Sequence, residues 1–153
     1  MELLDEWRLG EWLDLTGPDF TYQIPVPQLT DGYEQLGYDP RALFMDETRD
    51  SIVENWVARL TPEHGPISWG DNPPVRVKRF ASGLRVRGTD AAGEYLVRQN
   101  VRVFMVRQDY QKGEMVGERF DIVRVENDSF TIVSRFVTLS SIVLDMPRLR
   151  IIL

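Results

Sequence analysis

Few residues in this 153-residue chain could do chemistry, and their types exclude more than they permit. There is no cysteine, and His64 is the only histidine. Iron–sulfur clusters need thiolates, or two thiolates and two imidazoles in the Rieske type, so the chain cannot hold one by itself. Structural zinc needs Cys and His at short spacing, and a two-His-one-carboxylate iron site needs a second histidine. His64 lies in Thr61-Pro-Glu-His-Gly-Pro66, where a lone loop histidine reads as solvated rather than as the base of a Ser-His-Asp set. Carboxylates remain. A pocket carboxyl becomes a general base when apolar surroundings raise its pKa, and the candidates are Asp14, Asp46 and Asp121. Asp14 reads as a helix-end residue in solvent and Asp46 as the cap of a second helix. Asp121, with Arg119 nearby, reads as half of an ion pair. No catalytic, cofactor-binding or metal-binding residue is assigned to the chain.

The elements that position these residues fit one domain over 1–153, long enough to bury a core without disulfides. The composition is that of an ordinary globular chain, 42% hydrophobic and 27% charged. No apolar run is long enough to span a membrane. The opening MELLDEWRLGEW is acidic and does not read as a signal or transit peptide, so a cytoplasmic protein is expected. The net charge of −6 is uneven, with −11 over residues 1–75 and +5 over 76–153. The two halves can attract each other within the fold or between subunits. Nucleic acid is not expected as a partner, because the pI is low and the basic residues have few companion aromatics.

Glu2 to Leu15 has apolar residues near helical spacing, stopped by Thr16-Gly-Pro18. Phe20, Tyr22, Ile24 and Val26 alternate as a strand that Pro25 and Pro27 end or confine to a sheet edge. Residues 28–44 read as a loop containing Tyr33 and Tyr38. A second helix is expected from Asp46 to Leu60 with the stripe Ile52, Val53, Trp56, Val57, Leu60. Residues 61–74, with four prolines and two glycines, form an irregular connection. Strands are expected at 75–87, 94–108, 117–126 and 129–139, with a short last one near 149–153. Turns are expected at 88–93, 111–114 and Asn127-Asp128. Strands this long must curl, which leaves a concave face for the helices to fill. The fold class is α+β, with helices packed on a long, strongly curved, mostly antiparallel sheet.

That element order resembles the NTF2-like cone of ketosteroid isomerases, scytalone dehydratases and SnoaL-type cyclases. Local motifs narrow it. Leu3-Leu-Asp-Glu-Trp-Arg-Leu-Gly-Glu-Trp-Leu13 followed by Phe20-Thr-Tyr-Gln-Ile-Pro-Val26 is similar to the opening of aromatic-ring-hydroxylating dioxygenase beta subunits. Asp46-Glu-Thr-Arg49 with Val57-Ala-Arg-Leu60, and Trp69-Gly-Asp-Asn-Pro-Pro74 with Arg76, Arg79, Ser82 and Val86, resemble the passages that follow. Gly117-Glu-Arg-Phe-Asp121, Thr138-Leu139 and Leu149-Arg-Ile-Ile-Leu153 complete the set. The resemblance covers nearly the whole chain, residues 28–44 least. It departs at Lys78-Arg79-Phe80, where the family often has a histidine beside the second arginine.

The resemblance implies a non-catalytic structural subunit of a multicomponent dioxygenase. Its alpha partner would carry the Rieske [2Fe–2S] cluster and the mononuclear iron, beta chains would associate as trimers, and the particle would be α3β3. Trp69, Asn72, Arg76, Lys78, Arg79, Arg148 and Arg150 are candidates for the subunit interface, where Trp and Arg bring contact area and planar donors. An ordinary role in strand or core is the alternative for each. Tyr22, Trp56, Phe104, Phe120 and Arg135 are candidates for the lining of the cone interior, on strand parity. The other functional class is a free-standing NTF2-like enzyme or binding protein for a small hydrophobic ring compound; the enzyme would need a closed apolar pocket with one buried acid, the binding protein the pocket without the acid.

Overall fold

A computed structural model describes residues 1–28, 37–60, 75–108, 111–144 and 151–153. Six strands form one sheet: β1 (Thr16–Pro27), β2 (Tyr38–Thr48), β3 (Arg76–Gly88), β4 (Glu94–Arg107), β5 (Gln111–Glu126) and β6 (Ser129–Leu139). The spatial order is β2-β1-β6-β5-β4-β3. β3 to β6 form an antiparallel meander and β2 pairs antiparallel with β1. β1 joins β6 in parallel, with Tyr22 opposite Arg135. The sheet curls without closing, so among the described residues β2 and β3 are its edges. This is the NTF2-like α+β architecture expected from the sequence.

Two short helices, α1 (Glu2–Asp5) and α2 (Leu9–Leu13), and a third, α3 (Arg49–Ile52), cover the concave face. The buried set runs from Leu4, Trp12 and Leu13 through Phe20, Tyr22 and Ile24 to Ile52, Trp56, Val77, Val103, Met105 and Val137. Trp12 meets Phe20 edge-on at 5.6 Å, and Tyr22 meets Trp56 at 6.4 Å, a geometry the ring quadrupoles favour.

The element boundaries differ from the sequence expectation in ways that local chemistry explains. The helix expected over 2–15 is broken because Trp7 takes φ 60°, a left-handed conformation that ends α1. Trp7 Nε1 donates to the Val75 carbonyl at 3.2 Å, tying the break to the start of the edge strand. Gly17-Pro18 lies inside β1 rather than closing the helix. Residues 38–48, expected as the end of a loop and the start of a helix, form a strand because β1 offers a ladder from Thr21–Thr48 to Pro27–Tyr38. Asp46 therefore caps nothing; Gln23 Nε2 donates to its carboxylate across the ladder at 3.0 Å.

The cap is Thr48, whose hydroxyl accepts from Ser51 N at 3.2 Å while Ser51 Oγ accepts from Thr48 N at 2.9 Å. Past α3 the backbone widens into a π-turn over Val53–Val57 and tightens into a 3₁₀ turn over Ala58–Leu60. β5 begins at Gln111, six residues earlier than expected, so residues 111–114 are strand rather than turn. Residues 151–153 lie outside any strand and are buried all the same.

Candidate functional site

Strand parity places alternate residues of β3 to β6 on the concave face, and there the chain collects charge as well as apolar bulk. Arg79 on β3, Arg119 and Asp121 on β5 and Arg135 on β6 all turn inward, joined by Asp5 of α1 and Tyr22 of β1. Asp121 and Arg135 are register partners. Arg135 donates through Nε to Oδ1 at 2.8 Å and through Nη2 to Oδ2 at 3.0 Å, the fork-to-fork pairing that favours arginine over lysine. The Arg135 guanidinium also lies over the Trp12 ring, 5.3 Å from its centroid. Arg119 Nε stands 3.2 Å from Asp121 Oδ2 without hydrogen-bond alignment, while its Nη2 donates to Gln99 Oε1 at 3.1 Å. Arg79 donates to Asp5 Oδ1 at 2.7 Å from a side chain only 4% exposed.

Burial sets the electrostatics. Loss of solvent, reinforced by the Arg135 charge, pulls the Arg119 guanidinium down to about 10. Burial lowers Arg79 as well, opposed by its bond to Asp5. The same loss of solvent pushes the Tyr22 phenol well above its usual range.

The space enclosed by these groups is filled by Ile151, Ile152 and Leu153, each 7% exposed or less. Tyr22 OH donates to the Ile151 carbonyl at 2.9 Å and accepts from Leu153 N at 3.2 Å. Arg79 Nε donates to the Ile152 carbonyl at 2.8 Å, and Arg135 Nη1 to the Leu153 carbonyl at 2.8 Å. Three donors thus meet three successive carbonyls.

Of the side chains expected to line the cone, Tyr22, Trp56 and Arg135 are inside. Phe104 and Phe120 are not: both have the opposite parity and sit on the convex face. Phe104 is 39% exposed between Lys78 and Glu114, and Phe120 packs on Phe136 under the Arg98 guanidinium. Tyr38 joins that convex cluster, edge-on to Phe136 at 5.5 Å. Asp14 and Asp46 are exposed, and Asp121 forms the ion pair that its sequence setting suggested, with Arg135 as the principal partner.

Arg79, expected at a subunit surface, points into the core instead, because Asp5 and the Ile152 carbonyl are there to receive it. Arg76 and Lys78 stay outward and border a groove of about 690 Å³ along β3, with Trp7 and Phe104 among its walls. His64, Tyr33, Trp69, Asn72, Arg148 and Arg150 fall outside the described residues. Sequence reasoning missed Asp5, and it expected a short strand near 149–153 where residues 151–153 are buried without strand pairing.

Among the described residues no group of three or more His, Cys, Asp or Glu comes together as a metal site, and no helix is long and apolar enough to cross a membrane. A family model described as ring hydroxylating beta subunit matches residues 1–146. The chain belongs to the ring-hydroxylating beta subunit family. A relative in Photorhabdus laumondii, the 3-phenylpropionate/cinnamic acid dioxygenase subunit beta, is 30% identical over 98% of this chain and 83% of its own.

Among solved structures, a chain of naphthalene 1,2-dioxygenase with indole bound superposes with a TM-score of 0.80 at 22% identity. That match covers 99% of this beta subunit and 79% of the other chain. The beta subunit of benzoate 1,2-dioxygenase from Burkholderia mallei gives a TM-score of 0.66 at 19% identity, over 91% of this chain and 82% of that one. At those identities the two structures speak for the fold, and the family model and the Photorhabdus relative speak for the family.

Proposed function

We propose that this beta subunit is a non-catalytic structural component of an aromatic-ring-hydroxylating dioxygenase and supports the assembly of an iron-containing alpha subunit. The observation that carries the reading is the state of the cone interior. An NTF2-like enzyme needs that space open, with one carboxyl in apolar surroundings. Here the space is taken by Ile151–Leu153, and both oxygens of the inward Asp121 are engaged by Arg135. With no cysteine and one histidine in the sequence, the Rieske cluster and the mononuclear iron belong to the alpha chain, and the expected particle is α3β3 around a beta trimer.

Arg76 and Lys78, beside the exposed Phe104, offer cations and an aromatic edge to a partner. Trp69, Asn72, Arg148 and Arg150 are the other residues proposed for contact with a partner. The test is co-purification of the tagged chain from its own host, with assays for iron and acid-labile sulfide. A larger iron–sulfur protein recovered in near one-to-one ratio is the expected result. Recovery of the chain alone and colourless, from cells that express the dioxygenase, would sink the proposal.

A further inference from the structure

We propose that the apolar far end of the concave sheet face is the surface on which copies of this chain meet. The proposal deepens the beta trimer of the proposed function and rests on that part of it alone, since no alpha chain enters the contact.

The helices cover the concave face only in part. Toward the turns at 88–93 and 127–128 the strands of the meander run on bare, and Val125 N donates to the Gly93 carbonyl at 2.9 Å where the two turns come level. Register fixes what this end presents. Val86 stands opposite Val97, and Val97 opposite the inward Asp121, so Val86 and Val97 share the concave face. The next row sets Tyr95 opposite Val123 and Val123 opposite Ile132, and the last sets Val125 opposite Phe130. Val86, Tyr95, Val125 and Phe130 are between 40% and 57% exposed, while Val97 and Val123 are half-buried. Together they leave on the order of 400 Å² of apolar surface in water, a size at which a patch on a soluble chain is often functional.

Charge and area point to a second copy as the occupant. The charged groups on these rows are Asp121 and Arg135, which neutralise each other in the interior. The whole chain carries −6, so two copies repel over most of their surfaces and approach at least cost where a face is uncharged. A stable contact takes about 800 Å² from each partner. The patch supplies about half of that as an apolar core, and polar residues around it supply the rest. That rim has both signs, with Arg87 exposed on β3 and Asp90 and Asp128 exposed in the turns. Copies brought face to face can therefore set the arginine of one against an acid of the other.

The test is sedimentation velocity on the full chain by itself, over a range of concentrations. The parent is expected to sediment as a trimer at micromolar concentration and to remain one in molar salt, because an apolar contact is not screened. Phe130→Asp puts a carboxylate at the centre of the patch and should raise the association midpoint about a hundredfold. Val86→Asp, on another strand of the same face, should do the same and decides the matter if circular dichroism shows Phe130→Asp to be unfolded. Val116→Asp, at a side chain 46% exposed on the convex face, should leave the assembly unchanged. A monomeric parent, an assembly dispersed by salt, or one that the folded Phe130→Asp and Val86→Asp chains retain overturns the proposal. Co-purification without an iron–sulfur protein, beside the expected sedimentation results, would instead overturn only the proposed function.

Discussion

Replacing Asp121 by asparagine keeps the shape of the side chain and removes its charge, so the loss it causes is electrostatic and leaves no cavity. In the parent, Asp121 receives two bonds from Arg135 at 2.8 and 3.0 Å and has Arg119 Nε at 3.2 Å. The Arg135 and Arg119 side chains are 3% and 8% exposed, so neither guanidinium can turn to water. Removing one member of a buried pair costs about 3–5 kcal/mol, because a charge is left uncompensated. The amide oxygen still accepts one bond, which retains about 1 kcal/mol, and the amide NH₂ then faces a donor. The expected loss is about 3–4 kcal/mol.

With an m-value of roughly 2 kcal/mol/M for urea, the unfolding midpoint of Asp121→Asn should fall by about 1.5–2 M with the slope unchanged. Protein concentration must be matched between parent and variant, since self-association adds to apparent stability. Adding Arg135→Met removes the stranded charge, so the double variant should lose clearly less than the sum of the two single losses. A loss below about 1 kcal/mol for Asp121→Asn, or strict additivity in the double variant, would refute the claim that this pair organises the interior.

Three further outcomes are expected. A Cβ at Gly117 would stand 2.2 Å from the Thr138 carbonyl oxygen, which is backbone and cannot swing aside; Gly117→Ala should cost about 3 kcal/mol by urea titration. Thr48→Ala removes one half of the reciprocal cap of α3, about 1 kcal/mol, which calorimetry should read as a fall of roughly 2–4 °C in Tm. Tyr22 has its folded pKa raised from an ordinary 10.0, so its contribution is complete below that value and is lost as pH rises through the folded pKa. Tyr22→Phe should therefore be the less stable protein at neutral pH and lose stability less steeply above pH 10. Absorbance at about 295 nm should show one tyrosine fewer that resists ionisation until unfolding.

The motif Gly117-Glu-Arg-Phe-Asp121 shows both the reach of sequence reading and where it stops. Its family likeness and the Arg119–Asp121 ion pair were legible, and the structure explains every position. Gly117 admits the Thr138 backbone, Glu118 bridges Arg85 and Arg98 outside, Arg119 and Asp121 pair inside, and Phe120 stacks outside. The family likeness followed from such motifs because each marks a close approach or a pairing that the fold cannot shift.

Strand parity without an anchored register was a weaker guide. It set Phe104 and Phe120 on the wrong face, since a one-residue slip inverts every side chain. The helix expected from Asp46 begins three residues later, at Arg49, for a different reason. The ladder offered by β1 is a tertiary contact, and no local propensity around Asp46-Glu-Thr48 reports it. The inward turn of Arg79 was hidden in the same way, because its partners Asp5 and Ile152 lie 74 and 73 residues away.

The parallel pairing of β1 with β6 has a kinetic consequence. β1 finds its neighbour only after more than a hundred intervening residues, and Tyr22 finds its carbonyl 129 residues later. Contacts of such high order are slow to form, because the loop entropy of a long chain is lost before any reward arrives. The β3-to-β6 meander needs only short reversals and can assemble first. During that interval the β6 edge, with the half-made charged interior behind it, is open to any strand that comes near. Refolding should show a fast phase that leaves the inner tryptophans Trp12 and Trp56 wet and a slow one that dries them. Aggregation should compete with the second phase alone.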